Sequence, residues 1–248
     1  MHAMKYQEFA GMLCDSRRIV FFGGAGVSTE SGLKDYRSPD GIYKTATTYG
    51  MPPEQILSHS CFVQNPELFY RFYRDLFMQH VSPNTTHYAL AQLEQYGKDI
   101  SIVTQNIDGL HQAAGSRKVF ELHGTASRLE CTSCGRRYSN NFLEKTTDIV
   151  PHCEDCGAII KPHVTLYDEA LDNDVVRGAI SAISAADLLI IGGTSLAVQP
   201  AASFLRYYRG HNIVIINKQP TEYDHLATLV FNESLGQVFS ETLKLMAK

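Results

Sequence analysis

The sequence predicts an α/β fold, a parallel sheet with helices on both faces. Short unbroken apolar runs recur along the chain, each run ends in glycine or polar residues, and stretches with helical spacing lie between them. Such runs suit strands buried on both faces. Their alternation with helical stretches is what parallel strands joined by crossover helices require.

Residues 6–18 read as an amphipathic helix, with Tyr6, Phe9, Met12 and Leu13 on one stripe. Ile19-Val20-Phe21-Phe22 is the first strand, ended by Gly23-Gly24. Residues 35–65 are loop-rich, with Pro39, Gly41, Gly50, Pro52 and Pro53, and read as an insertion. Helical spacing follows over 66–80 and 85–96. The next strand, Ile100–Val103, ends in Thr104-Gln105-Asn106. Residues 125–163 carry four paired cysteines and no long periodic element, and read as a second insertion. The pattern then resumes: helix over 174–185, strand Leu188–Ile191 ended by Gly192-Gly193-Thr194-Ser195, helix over 200–209, strand Ile213–Ile216 ended by Asn217-Lys218. Ligands of such sheets bind beyond the carboxyl ends of the strands. The polar residues of this chain gather at those ends.

Composition excludes several classes. Twenty-two Lys and Arg against 26 Asp and Glu leave a formal net charge of −4. A binder of nucleic-acid backbones carries a clustered basic excess instead. With 44% hydrophobic and 19% charged residues, the chain is too apolar for disorder as its main state. Its 248 residues can bury a core without disulfides, as one large domain or one domain plus a small insertion. No apolar run approaches the ~20 residues a bilayer span needs. Met1-His2-Ala3-Met4-Lys5 lacks the apolar core of a secretion signal. The expectation is a cytoplasmic protein with reduced thiols and no membrane partner, and a monomer, since no coiled-coil heptads occur.

The glycine loop Gly23-Gly24-Ala25-Gly26-Val27-Ser28 follows the first strand. Glycine there lets the backbone approach a phosphate, and the next helix would aim its N-terminal amides at a pyrophosphate. Thr29 stands where the dinucleotide fingerprint has its third glycine, and no Gly-Lys-Ser/Thr occurs. A tight turn that needs glycine for its own geometry is the competing reading. Asp35-Tyr36-Arg37 sets an acid and a base around an aromatic ring. That suits a cover over ribose or phosphate, and equally a solvated loop with an internal ion pair.

Thr104-Gln105-Asn106-Ile107-Asp108-Gly109-Leu110-His111 offers donors and acceptors suited to a carboxamide or a ribose. Capping of the next helix by Asn106 or Asp108 accounts for one of these groups, not three. Glu121-Leu122-His123-Gly124 follows the apolar pair Val119-Phe120. Histidine is the usual general base near neutral pH, and Gly124 permits close approach. Most lone histidines are structural, however, and residue chemistry alone does not single out His123 among ten.

Cys131-Thr132-Ser133-Cys134 and Cys153-Glu154-Asp155-Cys156 are 18 residues apart. Two such pairs at this spacing form a four-thiolate zinc site far more often than two surface dithiols. Gly135 and Gly157 directly follow the pairs and suit knuckle turns. A closed four-thiolate shell leaves no open position for water, so this zinc is structural. Metal binding worth on the order of 10 kcal/mol would fold an insertion too small to fold alone.

Together these blocks resemble the sirtuins, the NAD-dependent protein deacylases. The resemblance is carried by Gly24-Ala25-Gly26-Val27-Ser28 with Ser31-Gly32, then Asp35-Tyr36-Arg37, and Pro83-Asn84 with His87. It continues through Thr104 to His111, Glu121 to Gly124 and the two cysteine pairs. Gly193-Thr194-Ser195 with Val198 and Pro200, and finally Asn217, complete it. Order and spacing cover nearly the whole chain.

The resemblance implies a Rossmann-like NAD-binding domain (1–34, 82–124 and 164–248), a cofactor loop and helical insertion (35–81) and a zinc-binding module (125–163). NAD and an extended acyl-lysine peptide would meet between them. Gly24, Ala25, Gly26, Ser28, Thr29, Asp35, Tyr36 and Arg37 would line the NAD loop. Gln105, Asn106, Ile107 and Asp108 would bind nicotinamide and its ribose, and Gly193, Thr194, Ser195, Asn217 and Ser234 the adenosine side. His123 would be the general base and, with Asn106, catalytic. The implied reaction removes an acyl group from lysine and yields nicotinamide and O-acyl-ADP-ribose. Protein ADP-ribosylation in the same pocket is the alternative, and an inactive NAD sensor or zinc scaffold a third reading.

Three departures from the family pattern stand out. Lys34 replaces a usual proline, Tyr36 a commoner phenylalanine, and Val164-Thr165-Leu166-Tyr167-Asp168-Glu169 a segment ending Phe-Gly-Glu. That last segment would pair with the substrate peptide as a strand, so Asp168 is expected to alter peptide preference. Family members that prefer acidic acyl groups carry Tyr-x-x-Arg near residue 70. Here Tyr73 follows Tyr70, and Arg71 and Arg74 are out of register by one, so neutral acyl groups such as acetyl are expected.

Overall fold

Ile19-Val20-Phe21-Phe22 lies in the middle of the main sheet. The computed structural model describes residues 2–35 and 41–247. Its strands are β1 (Arg18–Gly23), β2 (Asp99–Thr104), β3 (Val119–Glu121), β4 (Gly124–Cys131), β5 (Arg137–Ser139), β6 (Ile160–Val164), β7 (Leu188–Gly192), β8 (Asn212–Ile216) and β9 (Leu229–Phe231). Six form one parallel sheet in the order β3-β2-β1-β7-β8-β9. Ile19 pairs with Ile100 on one side and with Leu188 on the other. The chain order reverses between β1 and β7, which is where ligands of doubly wound sheets bind.

Successive strand residues alternate between two cores, as a pleat with both faces covered requires. Ile19, Phe21, Ile102, Ile190 and Val214 pack with Phe9 and Leu13 of helix His2–Asp15, Leu90 and Leu93 of helix Thr85–Gln95, and Val238 and Phe239 of helix Leu235–Met246. Val20, Phe22, Val103, Leu189 and Ile191 pack the other way, onto Ala179 and Ile183 of helix Asn173–Ala185 and onto Phe204. Each large side chain so buried contributes ~1.5–3 kcal/mol before the entropy cost of ordering it.

The second sheet is antiparallel, in the order β5-β4-β6. It does not stand alone. Leu129, Leu143 and Ile160 share one buried cluster with Ile56, Phe69, Tyr70 and Tyr73 of the helical segment. Helix Pro66–Phe77 starts on Asn65, whose side chain accepts from Leu68 N, with Pro66 in its first turn. Its Arg74 reaches into the cysteine segment, donating to the carbonyls of Leu143 (2.6 Å), Asp148 (2.9 Å) and Ile149 (3.3 Å).

The structure departs from the sequence expectations in four places. The first helix is His2–Asp15, because Arg18 already belongs to β1. Within residues 35–65, expected to be loop, lie three helices: Ile42–Thr47, Pro53–Ile56 and His59–Gln64. None is long enough to show a periodic stripe. The stretch over 200–209 is a 3-10 helix, Ala201–Tyr207. Finally, β9 and the antiparallel sheet went unread, since three-residue strands and half-exposed pairs carry little pattern.

Candidate active site

The loops that leave β1, β2 and β7 meet above the carboxyl ends of those strands. Gly26 N–H donates to the Gly193 carbonyl at 2.8 Å. A Cβ on Gly26 would lie 2.8 Å from Gly193 Cα, and one on Gly193, whose φ is +60°, 2.4 Å from Val27 N. Only glycine lets these two loops cross backbone to backbone.

Ser28, buried at the end of the glycine loop, ties it to the loop after β2. Its hydroxyl donates to Asp108 Oδ2 at 2.7 Å and accepts from Asn106 Nδ2 at 3.1 Å. Asn106 Nδ2 also donates to the Gly24 carbonyl at 3.1 Å. Both amide hydrogens of Asn106 are thereby engaged, and its Oδ1 stands as an acceptor. Asp108 Oδ1 accepts from Leu110 N at 2.9 Å and so closes the turn into the next helix, whose N-cap residue is Gly109 with no side-chain cap of its own. Gln105 Nε2 donates to Thr194 Oγ1 at 3.1 Å. Thr29 Oγ1 closes onto the Gly26 carbonyl at 3.0 Å, and Ser28 N onto the Ala25 carbonyl at 3.1 Å. Ile107 accepts from Ala126 N at 2.8 Å and so anchors the start of β4.

Asn217, just past β8, clasps the β7 loop with two bonds. Its Nδ2 donates to the Thr194 carbonyl at 3.0 Å and its Oδ1 accepts from Thr194 N at 3.1 Å. Ser195 is exposed beside it. Ser234 caps helix Leu235–Met246, whose Gly236 N donates to Glu30 Oε1 at 3.4 Å. Asp35 accepts from Ile42 N through its carbonyl at 2.9 Å. Tyr36 and Arg37 lie outside the described residues.

His123 occupies the short link between β3 and β4. Its Nδ1 is 2.9 Å from the Gln105 carbonyl. A carbonyl only accepts, so Nδ1 carries the proton and Nε2 keeps its lone pair. Burial holds the imidazole below the usual histidine range, against the opposing pull of the Gln105 bond. His123 is therefore a neutral base at pH 7. Its carbonyl accepts from Thr165 N at 2.9 Å. Gly124, at φ +73°, has the His163 carbonyl where a Cβ would sit, 2.3 Å away, which is the close approach expected from sequence.

One site-building residue has no role in the sequence reading. Asn84 caps helix Thr85–Gln95, and its Nδ2 donates to Val27 O (2.8 Å) and Ser31 Oγ (3.0 Å), fastening the glycine loop from behind. An Asn before a helical run signals a cap; nothing local signals the long-range grip.

The four cysteines converge. Their Sγ atoms all lie within 4.8 Å of one another, with Cys131–Cys156 at 3.4 Å and Cys134–Cys153 at 3.6 Å. Tetrahedral zinc with bonds of about 2.3 Å sets sulfurs about 3.8 Å apart. Gly135 (φ +70°) and Gly157 (φ +73°) form the left-handed turns behind each pair. Donor set and spacing fit a structural zinc. The donor set at the strand ends, two amides, a carboxylate, hydroxyls and a glycine loop at the switch point, likewise fits NAD.

A family model described as "Sir2 family" matches residues 24–200. A protein of Clostridium perfringens named "NAD-dependent protein deacetylase" is 51% identical over 241 residues, covering 96% of this chain and 98% of that one. One of Clostridium acetobutylicum with the same name is 47% identical over 240 residues, covering 96% and 98%. Among solved structures, a Sir2 variant with deacetylated p53 peptide and 3'-O-acetyl ADP ribose superposes with TM-score 0.90 at 37% identity, over 98% of both chains. A Sir2–p53 peptide–NAD+ structure gives 0.86 at 36% identity, over 97% of this chain and 98% of that one.

Proposed function

The chain belongs to the Sir2 family, and on that premise we propose that it removes acetyl groups from protein lysine side chains with consumption of NAD. The balance is NAD, acyl-lysine and one water giving nicotinamide, O-acyl-ADP-ribose and free lysine, with the acyl carbonyl oxygen displacing nicotinamide from the ribose and a ribose hydroxyl then accepting the acyl group. The carrying observation is the His123–Gln105 bond, which fixes the tautomer that leaves Nε2 as a base.

Each group has a task that its chemistry fits. Asn106 Oδ1 and the Asp108 carboxylate accept from a carboxamide, and Ser28 fixes both side chains relative to the glycine loop. The glycine loop, with Thr29, faces phosphate, and Thr194, Ser195, Asn217 and Ser234 serve the adenosine side. His123 Nε2 takes a proton from a ribose hydroxyl as that hydroxyl attacks the acyl carbon. Donors and acceptors held in place before the reaction favour charge that develops only in the transition state. Cys131, Cys134, Cys153 and Cys156 hold one structural zinc.

Two further observations support a neutral acyl group. Tyr70 and Tyr73 are buried, with the Tyr70 hydroxyl on the Ile160 carbonyl. Arg71 pairs with Glu67, and Arg74 is engaged by three carbonyls. Both guanidinium groups thus have partners within the protein.

The three-part division into NAD-binding domain, helical insertion and zinc module remains our reading, as do a monomer and a cytoplasmic location. Among the described residues, no helix is long and apolar enough to cross a membrane. The test of function is mass spectrometry of an acetyl-lysine peptide with and without NAD. Loss of the acetyl mass only with NAD, together with nicotinamide and acetyl-ADP-ribose, is the expected result. An unchanged peptide, with transfer of ADP-ribose to protein, would replace this reading by its alternative.

A further inference from the structure

A groove of about 480 Å³ opens between the short helices of the insertion and the turn at Tyr167 and Asp168. It has no part in the site described above. Glu54, Ser60, Leu68, Tyr167 and Asp168 are among its walls, and among the described residues no Lys, Arg or His lines it. Its two carboxylates have neutral partners among the described residues: the Tyr43 hydroxyl donates to Glu54, and the Ser60 hydroxyl to Asp168 Oδ2 at 3.4 Å. Neighbouring Glu169 differs, since Lys161 (2.9 Å) and His59 (2.9 Å) both pair with it.

Tyr167, 36% exposed, is one wall of the groove, and Tyr43, 42% exposed, stands next to Glu54 with its hydroxyl on that carboxylate. Burial pushes the Tyr167 phenol up to about 12, and the nearby Glu54 carboxylate and Tyr43 add to the rise. The Tyr167 wall is fixed. Tyr167 N donates to Leu57 O at 3.0 Å, and His59 N to Tyr167 O at 2.9 Å.

The groove also continues from the base. Thr165 N binds the His123 carbonyl at 2.9 Å, and Tyr167 and Asp168 follow two and three residues on. An extended chain advances about 3.3 Å per residue. A peptide paired with this segment, its acyl-lysine level with Thr165, therefore brings the second or third residue along to the groove, where the segment itself turns at Asp168 (φ +72°).

We propose that the groove is a specificity subsite for a lysine or arginine side chain lying two or three residues from the acyl-lysine of the substrate polypeptide. The Glu54 and Asp168 carboxylates receive the cation, and the tyrosine rings attract it through their faces. The proposal rests on the deacetylase reading above.

The test uses acetyl-lysine peptides of neutral background, with arginine or glutamine placed in turn at each position from −3 to +3. Both kcat/KM with NAD and peptide Kd by fluorescence anisotropy are measured. Arginine at a position two or three residues away is expected to raise kcat/KM about 5–10-fold, through KM, and to lower Kd by a similar factor. The Glu54→Gln/Asp168→Asn double variant is expected to lose that preference. Equal constants for the arginine and glutamine peptides at every position overturn the proposal, as does a preference that survives in the double variant. If no peptide is turned over, the deacetylase reading falls, and the anisotropy alone still decides the groove.

Discussion

His123 and Gln105 are joined ring to backbone, Nδ1 to carbonyl oxygen at 2.9 Å. Gln105 stands at the end of β2 and His123 at the end of β3, and these strands are hydrogen-bonded neighbours. The base is thus oriented by a main-chain group that no side-chain substitution removes. Replacing His123 by Ala is expected to lower deacetylation by about 10²–10⁴-fold and leave the affinity for NAD within about twofold. Steady-state kinetics and calorimetric NAD titration check this. Because burial lowers its pKa, Nε2 is protonated only below the ordinary histidine range, and the acid limb of kcat/KM should lie lower than that of a free histidine.

A pair of buried imidazoles couples the stability of the fold to pH. His87 and His111 are buried with ring centroids 4.7 Å apart. Burial lowers His87 to about 4, against the pull of Asp108, and burial with the neighbouring His87 lowers His111 to about 3. In the unfolded chain each protonates near 6.5. Below that pH the unfolded state binds more protons, so stability rises with pH there. The contribution is complete above pH 6.5 and is lost as pH falls through about 4 for His87 and about 3 for His111. The melting temperature should drop steadily from pH 6.5 to 4.5, and His111→Gln should flatten the slope. A level profile across that window contradicts the assignment.

Metal removal should reach far beyond the cysteines. The antiparallel sheet that carries Cys131 shares its buried cluster with Phe69, Tyr70 and Tyr73. Elemental analysis is expected to give one zinc per chain. A Cys153→Ser variant should lose the metal and the activity together, with near-ultraviolet dichroism of the buried tyrosines reduced. A metal-free chain with full activity would refute the site.

Arg74 ties helix Pro66–Phe77 to the cysteine segment through three carbonyls. Arg74→Ala should destabilise the protein by roughly 1.5–3 kcal/mol in denaturant titration, since a charged donor loses two part-buried acceptors and one exposed one. Arg74→Lys should recover less than half, because an ammonium cannot fork across three acceptors.

Much of this was legible in the residues. The four short apolar runs are strands within one or two residues of their expected ends, because a strand buried on both faces needs unbroken apolar sequence. The thiolate cluster was legible from spacing alone. His123 was not: its role depends on the Gln105 carbonyl eighteen residues back and on a burial that no local pattern encodes. The grip of Asn84 on Val27 and the reach of Arg74 to Asp148 were hidden for the same reason, being contacts between segments far apart in sequence. The short helices within 42–64 were missed because each is one or two turns long.

The position of β1 has a consequence for synthesis. One edge of β1 pairs with β2, and the other must wait for β7, where Ile19 meets Leu188. At about 5–20 residues per second, roughly 10–30 s separate the emergence of the two. Throughout that interval an apolar strand presents a bare edge, the kind that recruits foreign strands. Nascent chains arrested before residue 188 should therefore be cut by protease near residues 18–23, and chains released after β8 should not. The sheet closes only when its first strand meets strands made in the last quarter of the chain, so the fold is most vulnerable to misassociation on the ribosome.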